Sequence, residues 1–234
     1  MSVRSKERCN SQKGLIEMKR ALKIFAIVFL LVVPAVDFAA EKKKDNPSEV
    51  GETAIGNMVS DAVRAALKTD VALVAAGSLG AEPFPEKVTE KNLSEVVPFG
   101  NEEMVAIRMK GAHLREALER SVSFLPKRFS GFLQVSGVSF TCDLNKKPGE
   151  RVTGIRVSKD PLDDKKSYTV ALAEYLAGGG NGYKSLREGE LTVEEGIPLG
   201  GIVLKHAAPP APAKEKPPAR IVIIAPRENP EREQ

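Results

Sequence analysis

The feature that most constrains the fold of this chain is a continuous apolar run, D-V-A-L-V-A-A, at residues 70–76. The run has the length of a strand but lacks the polar alternation of a strand with one face in water, so we expect burial on both faces. It directly follows an amphipathic helix predicted over residues 52–68, in which apolar side chains recur at i, i+3 and i+4. The helix and the strand together predict a core in which helices pack against a sheet.

Predicted helices and strands alternate along the rest of the chain. Further helices are predicted at residues 89–97 and 111–124, the second with an i, i+4 pair of Glu116 and Arg120 on its polar side. Strands are predicted at residues 104–109, 132–143 (one strand or a pair, with Gly137 a candidate bulge), 152–158, 168–173 and 220–224, and residues 198–205 have strand-like character. The sequence therefore predicts an α+β fold.

The first 40 residues resemble a secretory signal peptide. A basic segment at residues 18–23 precedes an unbroken apolar run at residues 24–33, which is shorter than the roughly 20 residues that span a bilayer. Cleavage after Ala40 or Ala35 fits this pattern, and Met18 is a candidate true start because residues 1–17 are polar. The alternative is an uncleaved N-terminal anchor. We expect an exported protein, periplasmic or secreted, that is not held in the membrane after cleavage.

Composition shifts divide the remaining chain. We expect a charged linker at residues 41–48, a folded domain at 49–206, a Pro/Ala-rich tether at 207–219, a terminal strand at 220–225 and a disordered charged tail at 226–234. The formal net charge of +4 comes largely from the leader and the basic run at residues 42–44. The folded body has no basic stripe interleaved with aromatics, so we expect no nucleic-acid partner.

Few side chains in the sequence suit catalysis. The two histidines, His113 and His206, have no metal-ligand spacing, whereas a hydrolytic metal site needs several converging His, Asp and Glu side chains. No nucleophile elbow or phosphate-binding glycine loop is present either. Cys142, the one cysteine outside the leader, lies in an apolar strand and is interpreted as a buried structural thiol. We predict no catalytic residue, no metal site and no cofactor in this chain.

Two glycine-containing segments each carry an aromatic and an amide. Phe99 and Asn101 lie in V-P-F-G-N at residues 97–101, and Tyr175 and Asn181 lie in E-Y-L-A-G-G-G-N-G-Y at residues 174–183. Two aromatic faces could clamp a flat heterocycle while the amides hydrogen-bond to its edge. The alternative is that both are ordinary turn sequences without a ligand.

Several motifs in one order resemble the C-terminal domain of the 5'-nucleotidase family over residues 50–186. They are E-T-A-I-G-N-M-V-S-D-A-V-R at 52–64, D-V-A-L-V at 70–74, V-V-P-F-G-N at 96–101, L-Q-V-S-G-V at 133–138, Y-T-V-A at 168–171 and Y-L-A-G-G-G-N-G-Y at 175–183. The resemblance implies a mixed sheet packed with helices that presents a nucleotide's base and sugar to a separate metallophosphatase domain with two metal ions. It also implies that Phe99 and Tyr175 sandwich the base and that Asn101 hydrogen-bonds the ligand.

Three departures from the family pattern bear on function. Asn181 stands where the family has an acidic residue in G-G-D-G-Y, which removes a charge-assisted hydrogen bond to the ligand. Gly80, in A-A-G-S-L-G, stands where the family's glycine loop has a ligand-contacting arginine, so we expect Gly80→Arg to favour phosphate-bearing ligands. The 234-residue sequence also contains no segment that resembles the metallophosphatase domain. We expect that divalent metals would enter only with a separate metallophosphatase chain.

Three functions therefore stay open. The first is an exported nucleotide- or nucleoside-binding module, associated with nucleotide catabolism and not hydrolytic alone. The second is the specificity subunit of a two-chain metallophosphatase, so participation in an enzyme is left undecided. The third is an interaction protein that kept the fold and lost the site.

Overall fold

The computed structural model describes residues 45–80, 85, 87–193, 195–207 and 218–227. The chain divides into two units, Met1–Lys43 and Lys44–Gln234, and the described residues belong to the second. The predicted leader, most of the predicted tether and the end of the predicted tail lie outside the described residues.

Short and long helices alternate with strands along the described domain. The helices are α1 Ala54–Leu67, α2 Leu93–Val96, α3 Gly111–Val122, α4 Glu174–Ala177 and α5 Leu199–His206. The strands are β1 Val71–Ala75, β2 Glu103–Lys110, β3 Leu133–Ser136, β4 Val138–Asp143, β5 Val152–Val157, β6 Asp160–Pro161, β7 Ser167–Ala173, β8 Glu190–Leu191, β9 Ile197–Pro198 and β10 Ile221–Ile224. Short 3-10 helices lie at Pro47–Glu49, Ala76–Ser78, Gly180–Gly182 and Lys184–Glu188. No helix among these described elements is long and apolar enough to cross a bilayer.

The first long helix follows from local signals in the sequence. The Thr53 hydroxyl caps α1 by accepting a hydrogen bond from the backbone N–H of Gly56, and Lys68 ends the helix in the left-handed conformation with φ 52°. Its apolar face, which includes Ile55 and Val59, is buried against β1 and β3. The predicted amphipathic helix is thus confirmed.

The described strands form two mixed sheets. The larger has the order β3-β1-β7-β2-β8, with β9 also paired to β2, and the smaller has the order β10-β4-β5-β6. All five residues of β1 are buried, and β1 pairs antiparallel with β3 and parallel with β7. The strand predicted to be buried on both faces is confirmed, and so is the α+β fold class.

Gly137 marks the passage of the chain from the larger sheet to the smaller one. It separates β3 from β4 with φ +76°, a backbone conformation that glycine adopts without a side-chain clash. A Cβ built at this position would lie 2.0 Å from the carbonyl oxygen of Asp70. Of the two possibilities for residues 132–143, the pair of strands is confirmed.

The strand-like interpretation of residues 198–205 is wrong. Only Ile197–Pro198 pairs with β2, and the chain then enters α5. Leu199, Ile202 and Val203 are buried at helical spacing in α5, which packs against α1. The neighbouring Gly200 and Gly201 conceal this short helical pattern because glycine has low helix propensity.

The terminal strand β10 pairs parallel with β4, as an edge strand of the smaller sheet. The Arg220 guanidinium donates to Asp61 Oδ2 at 2.7 Å and to the Val135 carbonyl oxygen at 2.8 Å. The Glu52 carboxylate accepts the backbone N–H groups of Arg220 and Ile221 at 2.7 and 2.9 Å. The strand predicted here is confirmed, and α1 supplies part of its anchor.

Candidate functional site

Four described loops reach the same end of the larger sheet. Met104 in β2 lies opposite Ala173 in β7 in an antiparallel pair, so the segment before β2 and the segment after β7 leave the sheet together. Since β1 runs parallel to β7 and pairs Ala75 with Leu133 of β3, the loop after β1 and the loop before β3 emerge there too. We call these segments, residues 76–80, 98–101, 128–132 and 174–182, the loop end.

Hydrogen bonds connect neighbouring segments of the loop end. The backbone N–H of Gly77 donates to the carbonyl oxygen of Ser130 at 2.6 Å. The hydroxyl of Ser78 donates to the Glu102 carboxylate at 2.6 Å, just beyond the turn that carries Phe99. The loop after β1 therefore contacts both the loop before β3 and the start of β2.

Phe99 lies on the turn before β2 with 59% of its surface exposed. The turn is held through its backbone, because the Gly200 N–H donates to the Gly100 carbonyl oxygen at 2.7 Å. Asn101 is exposed, and its side-chain amide has no hydrogen bond within the described part of the chain. The fold thus fixes the turn but leaves both predicted ligand side chains accessible.

Tyr175 lies on α4, a single helical turn, and is also 59% exposed. Its ring covers Gly180, where an added Cβ would lie 2.3 Å from the ring atom Cε1. The N–H of Asn181 donates to the Tyr175 hydroxyl oxygen at 3.2 Å. The aromatic and the amide of the second predicted segment are therefore packed together.

Asn181 is half-buried and adopts φ 54°, the left-handed region that asparagine tolerates better than most residues. Its side-chain amide makes no hydrogen bond to any residue that the structure describes. The backbone carbonyl oxygen of Asn181 accepts two hydrogen bonds from Arg120, at 3.0 Å from Nε and 2.7 Å from Nη2. The prediction that Arg120 pairs with Glu116 is wrong, because its guanidinium is hydrogen-bonded to this loop.

Tyr183 anchors the same loop from inside the core. It is fully buried, and its hydroxyl donates to the Gly131 carbonyl oxygen at 2.5 Å. Burial raises the pKa of Tyr183, against smaller opposing contributions from Ser121 and Arg120. The phenol therefore stays neutral and serves as a hydrogen-bond donor.

Gly80 leaves no space for the arginine that the family resemblance implies at this position. Its N–H donates to the Val96 carbonyl oxygen at 2.8 Å, and a Cβ built on it would lie 1.7 Å from the Glu95 carbonyl oxygen. Any side chain at residue 80 must displace the backbone of α2. The expectation that Gly80→Arg would restore a phosphate contact is therefore wrong for this backbone.

The remaining chemically active side chains lie outside the loop end. His206 is exposed at the end of α5, whereas His113 is half-buried and its Nδ1 has no hydrogen-bond partner in the described part of the chain. Cys142 is buried and unpaired, and burial raises the pKa of its thiol to about 11, despite the opposing charge of Arg151. Across the described ranges, no three His, Cys, Asp or Glu side chains could together hold a metal ion. The His, Cys, Asp and Glu side chains of the described residues therefore do not fit a hydrolytic metal centre, and we assign them no metal-dependent step.

Comparison with known proteins identifies the fold and its family. Residues 35–188 match the family model "5'-nucleotidase, C-terminal domain". Human 5'-nucleotidase is 35% identical over 117 residues, which cover 47% of this chain and 20% of the relative. The crystal structure of a 5'-nucleotidase precursor from Thermus thermophilus has a TM-score of 0.63 at 25% identity, covering 76% of this chain and 36% of that chain.

The same fold occurs in a protein with another named activity. The sulfate thiohydrolase SoxB of Thermus thermophilus aligns with a TM-score of 0.55 at 21% identity, over 73% of this chain and 32% of that chain. At this identity the likeness concerns the fold alone. The chain spans a minor part of each of these relatives, and its family follows from the match to more than half of its own residues. This chain belongs to the 5'-nucleotidase C-terminal domain family.

Proposed function

We propose that this domain binds the base of a nucleoside or nucleotide between Phe99 and Tyr175. The observation that carries the proposal is that the strand register brings both aromatics to the loop end, each 59% exposed. Large aromatic side chains are usually well buried in a folded domain, so two that are exposed at one end of a sheet suit stacking with a ligand. The family membership supports a nucleotide as the ligand class.

Asn101 and Asn181 supply the hydrogen bonds in this proposal. An amide side chain can both donate and accept, which suits the edge of a base or the hydroxyls of a sugar. Both amides lack hydrogen bonds to described residues, so neither must give up an internal partner on binding. Without a carboxylate at residue 181, the domain loses charge-assisted hydrogen bonds, and we expect weaker binding than an acidic residue would allow.

Hydrolysis, in this proposal, belongs to a separate metallophosphatase chain that brings divalent metals. The contribution of this domain is to orient the substrate, which lowers the entropic cost of reaching the transition state. Named 5'-nucleotidases among the relatives support this second candidate function. The signal-like leader supports export to the periplasm or the medium as the place of action.

A calorimetric titration of the whole chain with AMP, adenosine and UDP-glucose, with and without Mn²⁺, tests the proposal. We expect saturable binding that Phe99→Ala abolishes or weakens at least tenfold. Leu191→Ala is the matched control, because Leu191 is 61% exposed but lies on β8, opposite Ile107 of β2. Absence of heat with every ligand, from a protein that melts cooperatively, would leave the interaction protein as the better function.

A further inference from the structure

We infer that Arg120 is a positioning residue for the proposed nucleotide site and that it acts through the backbone of Asn181. The inference rests on the proposed function, since it concerns two of the four proposed ligand residues. Arg120 lies on α3, outside every motif that resembles the family, and 61 positions from Asn181 in sequence. It is assigned no contact with the ligand.

The loop that Arg120 holds has little regular structure of its own. Gly179 and Gly182 have φ +87° and +80°, and Asn181 between them has φ 54°. The two glycines adopt positive φ without strain, but this region is sparsely populated by asparagine and persists there only where surrounding contacts fix it. The two hydrogen bonds from the guanidinium to the Asn181 carbonyl oxygen supply that contact, in the planar fork geometry that lysine cannot reproduce.

Two aromatic rings fix the guanidinium itself. The Arg120 Cζ lies 4.8 Å from the ring centroid of Phe124 and 5.1 Å from that of Phe129. The two ring centroids are 4.6 Å apart. Cation–π contacts of this kind restrain a long side chain that would otherwise sample many rotamers.

Glycines around Arg120 allow the guanidinium and the Phe129 ring to approach the loop closely. A Cβ on Gly182 would lie 2.7 Å from the Arg120 Nη2, so the guanidinium occupies space that only glycine leaves open. A Cβ on Gly131 would lie 2.4 Å from the Phe129 ring and 2.9 Å from the Asn181 Cβ. The arginine, the ring and the loop thus form one packed cluster.

The cluster couples Arg120 to both ligand residues of the second segment. The Asn181 carbonyl is held by Arg120, while its N–H is bonded to the Tyr175 hydroxyl. Release of the carbonyl would free the loop that underlies the Tyr175 ring and carries the Asn181 amide. Arg120 therefore sets the position of one aromatic and one amide while it stays outside the ligand's own contacts.

Tryptophan fluorescence offers a direct test. The chain contains no tryptophan, so Phe99→Trp introduces a single reporter on the opposite side of the proposed clamp. In this background, titration with adenosine is expected to show at least tenfold weaker binding for Arg120→Met. We expect an intermediate loss for Arg120→Lys, which keeps the cation but loses the planar fork of two parallel donors. Arg115→Met is the control: Arg115 lies on the same helix, and its exposed ion pair is with Asp164, outside the loop.

Hydrogen–deuterium exchange without ligand separates this inference from the proposed function. Arg120→Met and Arg120→Lys should each speed exchange in peptides covering residues 178–186, while peptides from α1 and β1 stay protected. If neither the natural chain nor the reporter protein binds a ligand, the proposed function fails and exchange still decides whether Arg120 holds the loop. If Arg120→Met does not fold, Arg120→Lys remains decisive. Affinity and loop exchange equal to the parent protein in Arg120→Lys and Arg120→Met would overturn the inference.

Discussion

The backbone N–H of Asn181 donates a hydrogen bond of 3.2 Å to the hydroxyl oxygen of Tyr175. The aromatic and the amide that the sequence places on one segment are therefore not independent of each other. The exposed ring is oriented partly by the loop beneath it, and that loop is in turn oriented by the ring's hydroxyl.

Removal of the Tyr175 hydroxyl should weaken ligand binding without removing the stacking face. We expect Tyr175→Phe to cost about 0.5–1.5 kcal/mol of binding free energy, the usual range for one hydrogen bond. Tyr175→Ala should cost about 1–3 kcal/mol because the stacking contact is lost as well. Titration calorimetry measures both, and equal affinities for Tyr175→Phe and the natural chain would contradict a role for the hydroxyl in holding the loop.

Phe99→Ala should leave the fold nearly as stable as before. Because Phe99 is 59% exposed, we expect its loss to change the free energy of unfolding by less than about 0.5 kcal/mol. Phe132, which is fully buried, is the matched comparison, and Phe132→Ala should cost about 3–5 kcal/mol. Urea unfolding measures both values, and a large loss for Phe99→Ala would make Phe99 a core residue and remove it from the site.

We expect replacement by alanine to have opposite effects on stability at Gly80 and at Gly201. At Gly80, the clash of a new Cβ with the Glu95 carbonyl oxygen should lower the free energy of unfolding by about 1–3 kcal/mol. At Gly201, inside α5, a Cβ would contact nothing within 4 Å, and alanine should stabilise the helix by about 0.5–1 kcal/mol. Thermal and urea unfolding of Gly80→Ala and Gly201→Ala compare the two, and equal stability of the pair would contradict the tight packing of Gly80 on α2.

Arg220→Met should release the terminal strand. The substitution removes the ion pair with Asp61 and the hydrogen bond to the Val135 carbonyl, and we expect a loss of about 1–2 kcal/mol. Arg115→Met removes a more exposed ion pair, to Asp164, and should cost less than about 0.5 kcal/mol. Hydrogen exchange of the β10 backbone amides should become faster in Arg220→Met but not in Arg115→Met. Unchanged protection of these amides in Arg220→Met would show that β-pairing suffices to hold the strand.

The buried thiol of Cys142 should make stability fall at alkaline pH. Burial raises its pKa from 9.0 to about 11, so folding favours the protonated thiol. The stability from this shift is fully present below pH 9 and is lost as the pH rises through about 11. We expect the natural chain to lose about 1 kcal/mol more than Cys142→Ala between pH 8 and pH 10. Urea unfolding at both pH values tests this, since Tyr183 contributes equally to the two proteins, and parallel pH curves would contradict it.

Elements with strong local periodicity were predictable from the sequence. The apolar spacing of α1 indicates one buried face, and the unbroken apolar run of β1 indicates burial on both faces. Both elements are found close to their predicted bounds. The short helix α5 was not predictable as a helix, because two glycines interrupt its apolar spacing and packing on α1 stabilises it instead.

The side chains proposed to bind ligand could be chosen from sequence, but their surroundings could not. An aromatic and an amide beside turn glycines identify Phe99, Asn101, Tyr175 and Asn181 as candidates, and the strand pairing brings their segments to one end of the sheet. That Gly80 is closed off by Glu95 depends on a contact between the loop after β1 and helix α2, which no local pattern encodes.

The sequence by itself determined the fold class, the order of most helices and strands, and the residue types available for binding, because these depend on neighbours a few positions apart. Only the tertiary structure decided that Arg120 holds Asn181 rather than pairing with Glu116. A surface i, i+4 ion pair contributes little in water, whereas a guanidinium in contact with two rings finds a fixed carbonyl acceptor 61 positions away. Such contacts depend on the strand pairing that brings the loops together.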